Sequence, residues 1–189
     1  MDWEVVEERT STSSVNLAPD GTPLTYAKTI RGEHQPHWRL AEEEEFDRLF
    51  LSNTMWPILV SEQPLDRRRD TSYYNPQIKE KHDSLGAKSN WVRGIIGGDR
   101  INYPGETAAN TTAMPVVKIL LQSVICDDLD WMTLDIKNYY LNTPLPRPEY
   151  IRIQQKLIPA NVIEKHQLQP FLVNNSVLFD VNQGMYGLP

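Results

Sequence analysis

Two short runs, Gln77 to His82 and Ser89 to Ile96, flank Asp83-Ser84-Leu85-Gly86, and this feature restricts the fold more than any other. Asp and Ser side chains bond the backbone just ahead of them, and Gly tolerates conformations other residues avoid, so the connection has turn chemistry. The two runs predict an antiparallel hairpin with basic residues on both arms. Gly97-Gly98 and Pro104-Gly105 punctuate the chain after it, and fourteen prolines in all imply stiff, extended connections.

Around the hairpin the pattern alternates between helix and strand. From Trp38, the residues Trp38, Ala41, Phe46, Leu49 and Phe50 share one side of a helix. Glu42 to Glu45 crowd its first turns and read as a solvated face rather than a cation site. Met55 to Val60 predicts a strand that Pro57 pushes to a sheet edge, and Pro64 to Pro76 reads as a loop. Thr111 or Thr112 can cap a helix from Met114 to Cys126, with Val117, Leu120, Leu121 and Val124 at helical spacing and Asp127 to Asp130 closing it. Trp131 to Ile136 predicts a buried strand. Tyr150 to Ile153 and Val177 to Val181 predict two more, with a helix over Ile158 to His166 that has Pro159 at its start. Strands interleaved with helices, plus a hairpin, indicate an α+β domain. Residues 1–36, with a Thr-Ser-Thr-Ser-Ser run and few sustained apolar positions, read as a flexible lead-in or linker.

Composition excludes several classes. The chain has 189 residues and is 40% apolar, enough for a core. A single cysteine, Cys126, forms neither an internal disulfide nor a cysteine metal site, and its Ser-Val-Ile-Cys setting predicts a buried thiol. The N-terminus lacks signal-peptide order, and the longest apolar stretch, Met114 to Cys126, is broken by Lys118 and Gln122 and is too short to span a bilayer. A soluble intracellular protein with no membrane partner is the expectation. The net charge of −6 is uneven: residues 1–62 carry five Lys/Arg against twelve Asp/Glu, the rest fourteen against thirteen. Charge therefore neither supports nor excludes a nucleic-acid partner. His34, His37, His82 and His166 lack metal-ligand spacing, and no glycine-rich phosphate loop of the Walker or dinucleotide type is present.

The most informative stretch is Trp131-Met132-Thr133-Leu134-Asp135-Ile136-Lys137-Asn138-Tyr139-Tyr140-Leu141. An aspartate ending a buried strand is held rigidly at the sheet's margin, and with the next carbonyl it suits a hard cation such as magnesium. The plainer alternative is an aspartate capping the following turn. Read by themselves, Arg93 is a solvated residue on a hairpin strand and Tyr140 a core tyrosine beside Tyr139.

This stretch, with Asp135 and an aromatic Tyr140 five positions later, resembles the first catalytic motif of copia-type retrotransposon reverse transcriptases. The resemblance runs in order along the chain after residue 37. His37-Trp38 to Glu45 and Thr54-Met55-Trp56-Pro57-Ile58-Leu59-Val60 look like that family's opening helix and Thr-Trp-x-Leu-Val segment. Trp91 to Gly98 looks like its fingers strand with a phosphate-binding arginine, and Met185-Tyr186-Gly187-Leu188-Pro189 like the start of its second palm motif.

The resemblance implies an α+β fold of polymerase type, with β-hairpin fingers and part of a ferredoxin-like palm over residues 37–189. It implies an RNA-directed DNA polymerase acting on an RNA or DNA template-primer and deoxynucleoside triphosphates. Asp135 would be one of three carboxylates binding two magnesium ions, with the Ile136 carbonyl as a further ligand. Arg93, accompanied by Lys88, would hold the triphosphate, and Tyr140 would exclude a ribose 2′-hydroxyl. The Tyr/Phe-x-Asp-Asp turn carrying the family's other two aspartates does not occur in these 189 residues. The expectation is a truncated fingers and palm region, inactive alone, whose open sheet edge and uncovered apolar surface favour self-association. A different expectation rests on Arg67-Arg68-Arg69 with Tyr73-Tyr74 nearby: a non-enzymatic module that binds RNA or a protein partner.

Overall fold

Alternating burial builds the centre of the molecule. Ile151 and Ile153 on one strand and Val177, Phe179 and Val181 on another point to the same side and are all fully buried. The computed structural model describes residues 25–29, 35–82, 88–103, 105, 111–134, 136 and 139–188. Among these, the elements are α1 (Tyr26–Thr29), α2 (Gln35–Leu51), β1 (Met55–Ile58), β2 (Ser72–His82), β3 (Lys88–Ile96), α3 (Met114–Cys126), β4 (Pro144–Gln154), α4 (Ala160–Lys165), β5 (Leu172–Val173) and β6 (Ser176–Gln183). The fold is mixed α+β. Its open sheet runs β1-β6-β4-β2-β3, with β5 pairing β6 beside β1. All pairs are antiparallel except the two-residue β2–β4 contact, Ser72 with Ile151 and Tyr73 with Arg152.

Prolines shape two of the strands. Pro144, Pro146 and Pro148 cannot donate to a ladder, and the β4–β6 register slips between Pro144 and Glu149. Pro57 lies in β1, an edge strand, as its sequence predicts. The predicted hairpin is present, with Tyr74 opposite Ile96 at its base and His82 opposite Lys88 at its tip. Its turn, 83–87, lies outside the described residues.

One side of the sheet is covered by helices. Phe46, Leu49 and Phe50 of α2 join Met55, Ile151, Ile153, Val177, Phe179 and Val181 in the main core, together with Leu141 and Met185. A smaller cluster of Trp38, Ala41, Ile78 and Val92 seats the first half of α2 on the hairpin. α4 docks on α2 through Asp47, which accepts hydrogen bonds from Lys165 Nζ at 2.7 Å and pairs with His166 Nε2 at 3.0 Å. Burial raises the Asp47 pKa, but these two partners outweigh it, and the net shift is downward.

Several expectations change. Pro64 to Pro76 is not all loop: a 3₁₀ helix spans Leu65–Asp70 and β2 begins at Ser72. α3 has the predicted limits, but Ala113 occupies its N-cap and no side chain caps it. Within the predicted lead-in, Tyr26–Thr29 is helical and Tyr26 packs against the smaller cluster. The helix predicted over Ile158 to His166 narrows to Ala160–Lys165 behind Pro159.

The largest departure concerns 114–136. No residue of α3 is buried, and Trp131, Met132, Leu134 and Ile136 are exposed and outside any strand. Their apolar pattern meets no partner, because among the described residues α2 and α4 already cover the core face and neither sheet edge reaches the segment. Cys126, predicted buried, is exposed for the same reason.

Candidate functional site

The glutamate run predicted to be a solvated face divides by helical phase. Glu43 is half-buried and Glu44 exposed, whereas Glu42 and Glu45 are 0% and 1% exposed because they share a face with Trp38, Ala41 and Leu49. A buried carboxylate must be paired. Glu42 receives Arg39 Nη1 at 2.9 Å and the Tyr26 hydroxyl. Burial outweighs these partners and pushes the Glu42 pKa up. Glu45 takes Arg48 as its ion partner and accepts the Gly94 backbone N–H at 2.8 Å.

That last bond decides how the hairpin is held. The N–H groups of Gly94 and Ile96 point away from β2, which is why Pro76, opposite Gly94, costs the ladder nothing. Glu45 satisfies the first of these outward donors. The Tyr186 carbonyl satisfies the second at 2.8 Å. The outer edge of β3 is therefore covered at these two positions by α2 and by the 184–188 segment. Gly187 must be glycine here: its φ is +90°, and a side chain would strike the Ile96 carbonyl.

Arg93 stands at this junction. On β3, Trp91 and Arg93 share a face, and the Arg93 guanidinium lies 4.4 Å from the centre of the Trp91 ring and 3.9 Å from that of Tyr186. Arg48 reaches the same Trp91 ring at 5.6 Å. Among the described residues no carboxylate pairs with Arg93. Burial, and then the nearby positive charge of Arg93, pull the Arg48 pKa below the ordinary arginine range. Among the described residues, buried Arg48 Nε has no hydrogen-bond partner, nor does the buried hydroxyl of Tyr74. Glu45 pairs with Arg48, and the charge of Glu44 also acts on that guanidinium, whereas Arg93 lies against the rings of Trp91 and Tyr186.

The remaining predicted site residues are placed as follows. Asp135 lies outside the described residues. Ile136 is 63% exposed. Tyr140 begins a 3₁₀ turn, Tyr140–Asn142, and its side chain is outside the described set. Backbone contacts tie that turn to the rest: Gly184 N donates to the Thr143 carbonyl at 2.7 Å, and Thr54 Oγ1 donates to the Leu141 carbonyl at 3.5 Å. Lys88 starts β3 opposite His82, five residues and about 17 Å along the strand from Arg93, so the two backbone positions do not meet. Among the described residues no group of three His, Cys, Asp or Glu side chains is placed to hold a metal ion.

Sequence reasoning missed Arg48, Trp91 and Tyr186 as neighbours of Arg93. The period-2 spacing of Trp91 and Arg93 signals a shared face; the approach of Tyr186 from the far end of the chain leaves no local signal. The arginine run also divides. Arg67 is held by Asp70 and by buried Glu149, at 3.0 and 2.5 Å, while Arg68 and Arg69 are exposed. Tyr74 is buried and Tyr73 is not. Among the described residues no helix is long and apolar enough to cross a membrane. Comparisons with protein-family models, curated proteins and solved structures find no match.

Proposed function

We propose that these residues are part of the fingers and palm of an RNA-directed DNA polymerase of the copia type, with Arg93 as the residue that holds the phosphates of an incoming deoxynucleotide. The observation that carries the reading is Arg93 itself: a guanidinium that no carboxylate pairs with among the described residues, set against the rings of Trp91 and Tyr186. It is supported by the company Arg93 keeps. The segments that resemble the family, distant in sequence, contact one another around β3 through Glu45 with Gly94 and Ile96 with Tyr186. A bidentate guanidinium matches phosphate oxygens in geometry and charge.

In this reading Asp135 is the carboxylate for magnesium, and Tyr140 restricts the sugar to its deoxy form. The 189 residues alone carry out no nucleotide transfer, because one carboxylate does not hold two metal ions. The test is competitive binding of dUTP and UTP, which differ only at the 2′ position, to the full chain with magnesium present. The proposal predicts a preference for dUTP that Tyr140→Ala removes. Equal affinity of the unmodified chain for both nucleotides overturns the assignment of Tyr140, and no binding of either overturns the proposal.

A further inference from the structure

A small pocket lined by three arginines plays no part in the polymerase reading. It measures about 330 Å³, and Arg68, Arg100 and Arg152 line it together with Tyr73, Gln63 and Gln154. Three segments far apart in sequence each supply one arginine: the Leu65–Asp70 3₁₀ helix, the Gly98–Arg100 turn and β4. The backbone beneath each of them is tied down. Buried Gln63 donates through Nε2 to Thr71 Oγ1 at 2.7 Å, and Thr71 Oγ1 donates to the Arg68 carbonyl at 3.0 Å. Gly97 N donates to the Tyr73 carbonyl at 3.0 Å and Ser72 Oγ donates to the Gly97 carbonyl, which sets the Gly98–Arg100 turn against β2. Arg152 pairs with Tyr73 in the β2–β4 contact. A cavity whose walls are already in place needs little ordering to take up a ligand.

The charge of this pocket is unbalanced by a definite amount. Its described lining contains no carboxylate, and among the described residues none of the three arginines forms an ion pair. Asp99, next to Arg100, accepts a hydrogen bond from the Tyr73 hydroxyl at 3.0 Å and offsets one positive charge. Three guanidinium charges less that one carboxylate leave a surplus of two. Arg68 Nη2 donates to the Val60 carbonyl at 3.4 Å and Arg152 Nη1 to Ser176 Oγ at 3.4 Å, which orients both groups without neutralising them. Like charges around one small cavity repel each other unless an anion sits among them. A phosphate monoester carries close to two negative charges at pH 7 and accepts bidentate guanidinium bonds, so it matches the surplus in charge and in geometry.

The surroundings confine that anion to a compact one. On the β6 side, Leu178, which pairs with Arg152, is buried, and the adjoining row holds buried Tyr150 and the carboxylate of Asp180. A long polyanion therefore finds no cationic track leading out of the pocket across the sheet. The volume lies at the low end of ligand cavities, about 300 to 1,000 Å³, and suits a small molecule. Tyr73 supplies an aromatic wall: its ring lies against Gly97, it is partly exposed, and the Arg100 guanidinium stands 5.1 Å from its centre. The exposed amide of Gln154 adds a donor and an acceptor for hydroxyl groups. We propose that this pocket binds one compact phosphate dianion, held by Arg68, Arg100 and Arg152, either free or as the phosphate of a small sugar or polyol whose body rests on Tyr73 and Gln154.

The experiment is isothermal titration calorimetry of the full chain with glucose 6-phosphate and, separately, with inorganic phosphate, glucose serving as the control. Phosphate-dependent binding is expected, with none of glucose alone. Replacing Arg68, Arg100 and Arg152 with Gln should weaken it at least tenfold, whereas Arg93→Ala should leave it within twofold, which separates this pocket from the deoxynucleotide reading. Affinity should also fall as the pH drops through about 6, where the phosphate dianion takes up a proton. None of the lining side chains ordinarily titrates between pH 5 and 8, so that change reads the ligand's own charge. If the triple variant loses its far-UV circular dichroism, Arg100→Gln alone, on an exposed turn, should still weaken binding about threefold. Tighter binding of glucose 6-phosphate identifies an ester as the ligand, and tighter binding of inorganic phosphate identifies the free ion. The proposal is overturned by no binding of either phosphate, by unchanged binding in the variants, or by an oligouridine that displaces glucose 6-phosphate and binds more tightly through the same arginines.

Discussion

Glu45 shows how one residue can govern two elements. It is buried on α2, yet its two carboxylate oxygens reach Arg48 and the backbone of β3 at Gly94. Glu45→Ala leaves a half-buried guanidinium and a buried N–H unmatched, and should cost about 3 kcal/mol in urea unfolding. Glu45→Gln, which still accepts from Gly94, should cost less, and equal losses would show that the N–H contact contributes nothing. Glu42, one turn earlier, behaves differently with pH. Its folded-state pKa is raised above 4.5, so the folded protein holds this proton to a higher pH than the unfolded chain does. Its contribution is therefore most favourable below that value and declines as pH rises through the window above it. Glu42→Gln should gain stability relative to the unmodified chain between pH 4.5 and 7, and a constant difference would refute the assignment. From the sequence, four consecutive glutamates look uniformly solvated; helical phase buries two of them, and their partners Gly94 and Tyr26 lie too far along the chain to be inferred.

At the scale of elements, sequence periodicity matches the fold where a segment also finds a partner. The hairpin, α2 and β6 match their patterns because their apolar faces close on one another, whereas β1 forms over Met55–Ile58 with Met55 buried and Trp56 exposed. α3 keeps its predicted limits but not its predicted burial, since period alone says which residues share a side and nothing about what covers it. Trp131 to Ile136 has a strand-like composition, but no neighbouring strand among the described residues supplies the hydrogen bonds. The contrast can be measured. Ile119→Ala on α3 should change stability by less than about 0.5 kcal/mol, while Ile151→Ala in the core should cost about 3 kcal/mol. Comparable losses at both positions would mean that α3 is packed in solution.

At the scale of the molecule, two cationic places lie in different parts of the fold. One is Arg93, at the covered edge of β3; the other is the trio Arg68, Arg100 and Arg152 on the sheet face away from α2. Neither could be assembled from sequence, because each draws on segments brought together only by the strand order β1-β6-β4-β2-β3. What the sequence did carry was Arg93 as a candidate and the order of the segments that now meet around it. The position of Trp91 beside Arg93 also provides a reporter, since a ligand gripping the guanidinium changes the environment of the indole. The most direct measurement is therefore tryptophan fluorescence of the full chain titrated with dTTP. The account predicts a saturable change that Arg93→Ala reduces at least tenfold in affinity and that Arg100→Gln leaves intact. An Arg93→Ala variant that binds dTTP as tightly as the unmodified chain would contradict it.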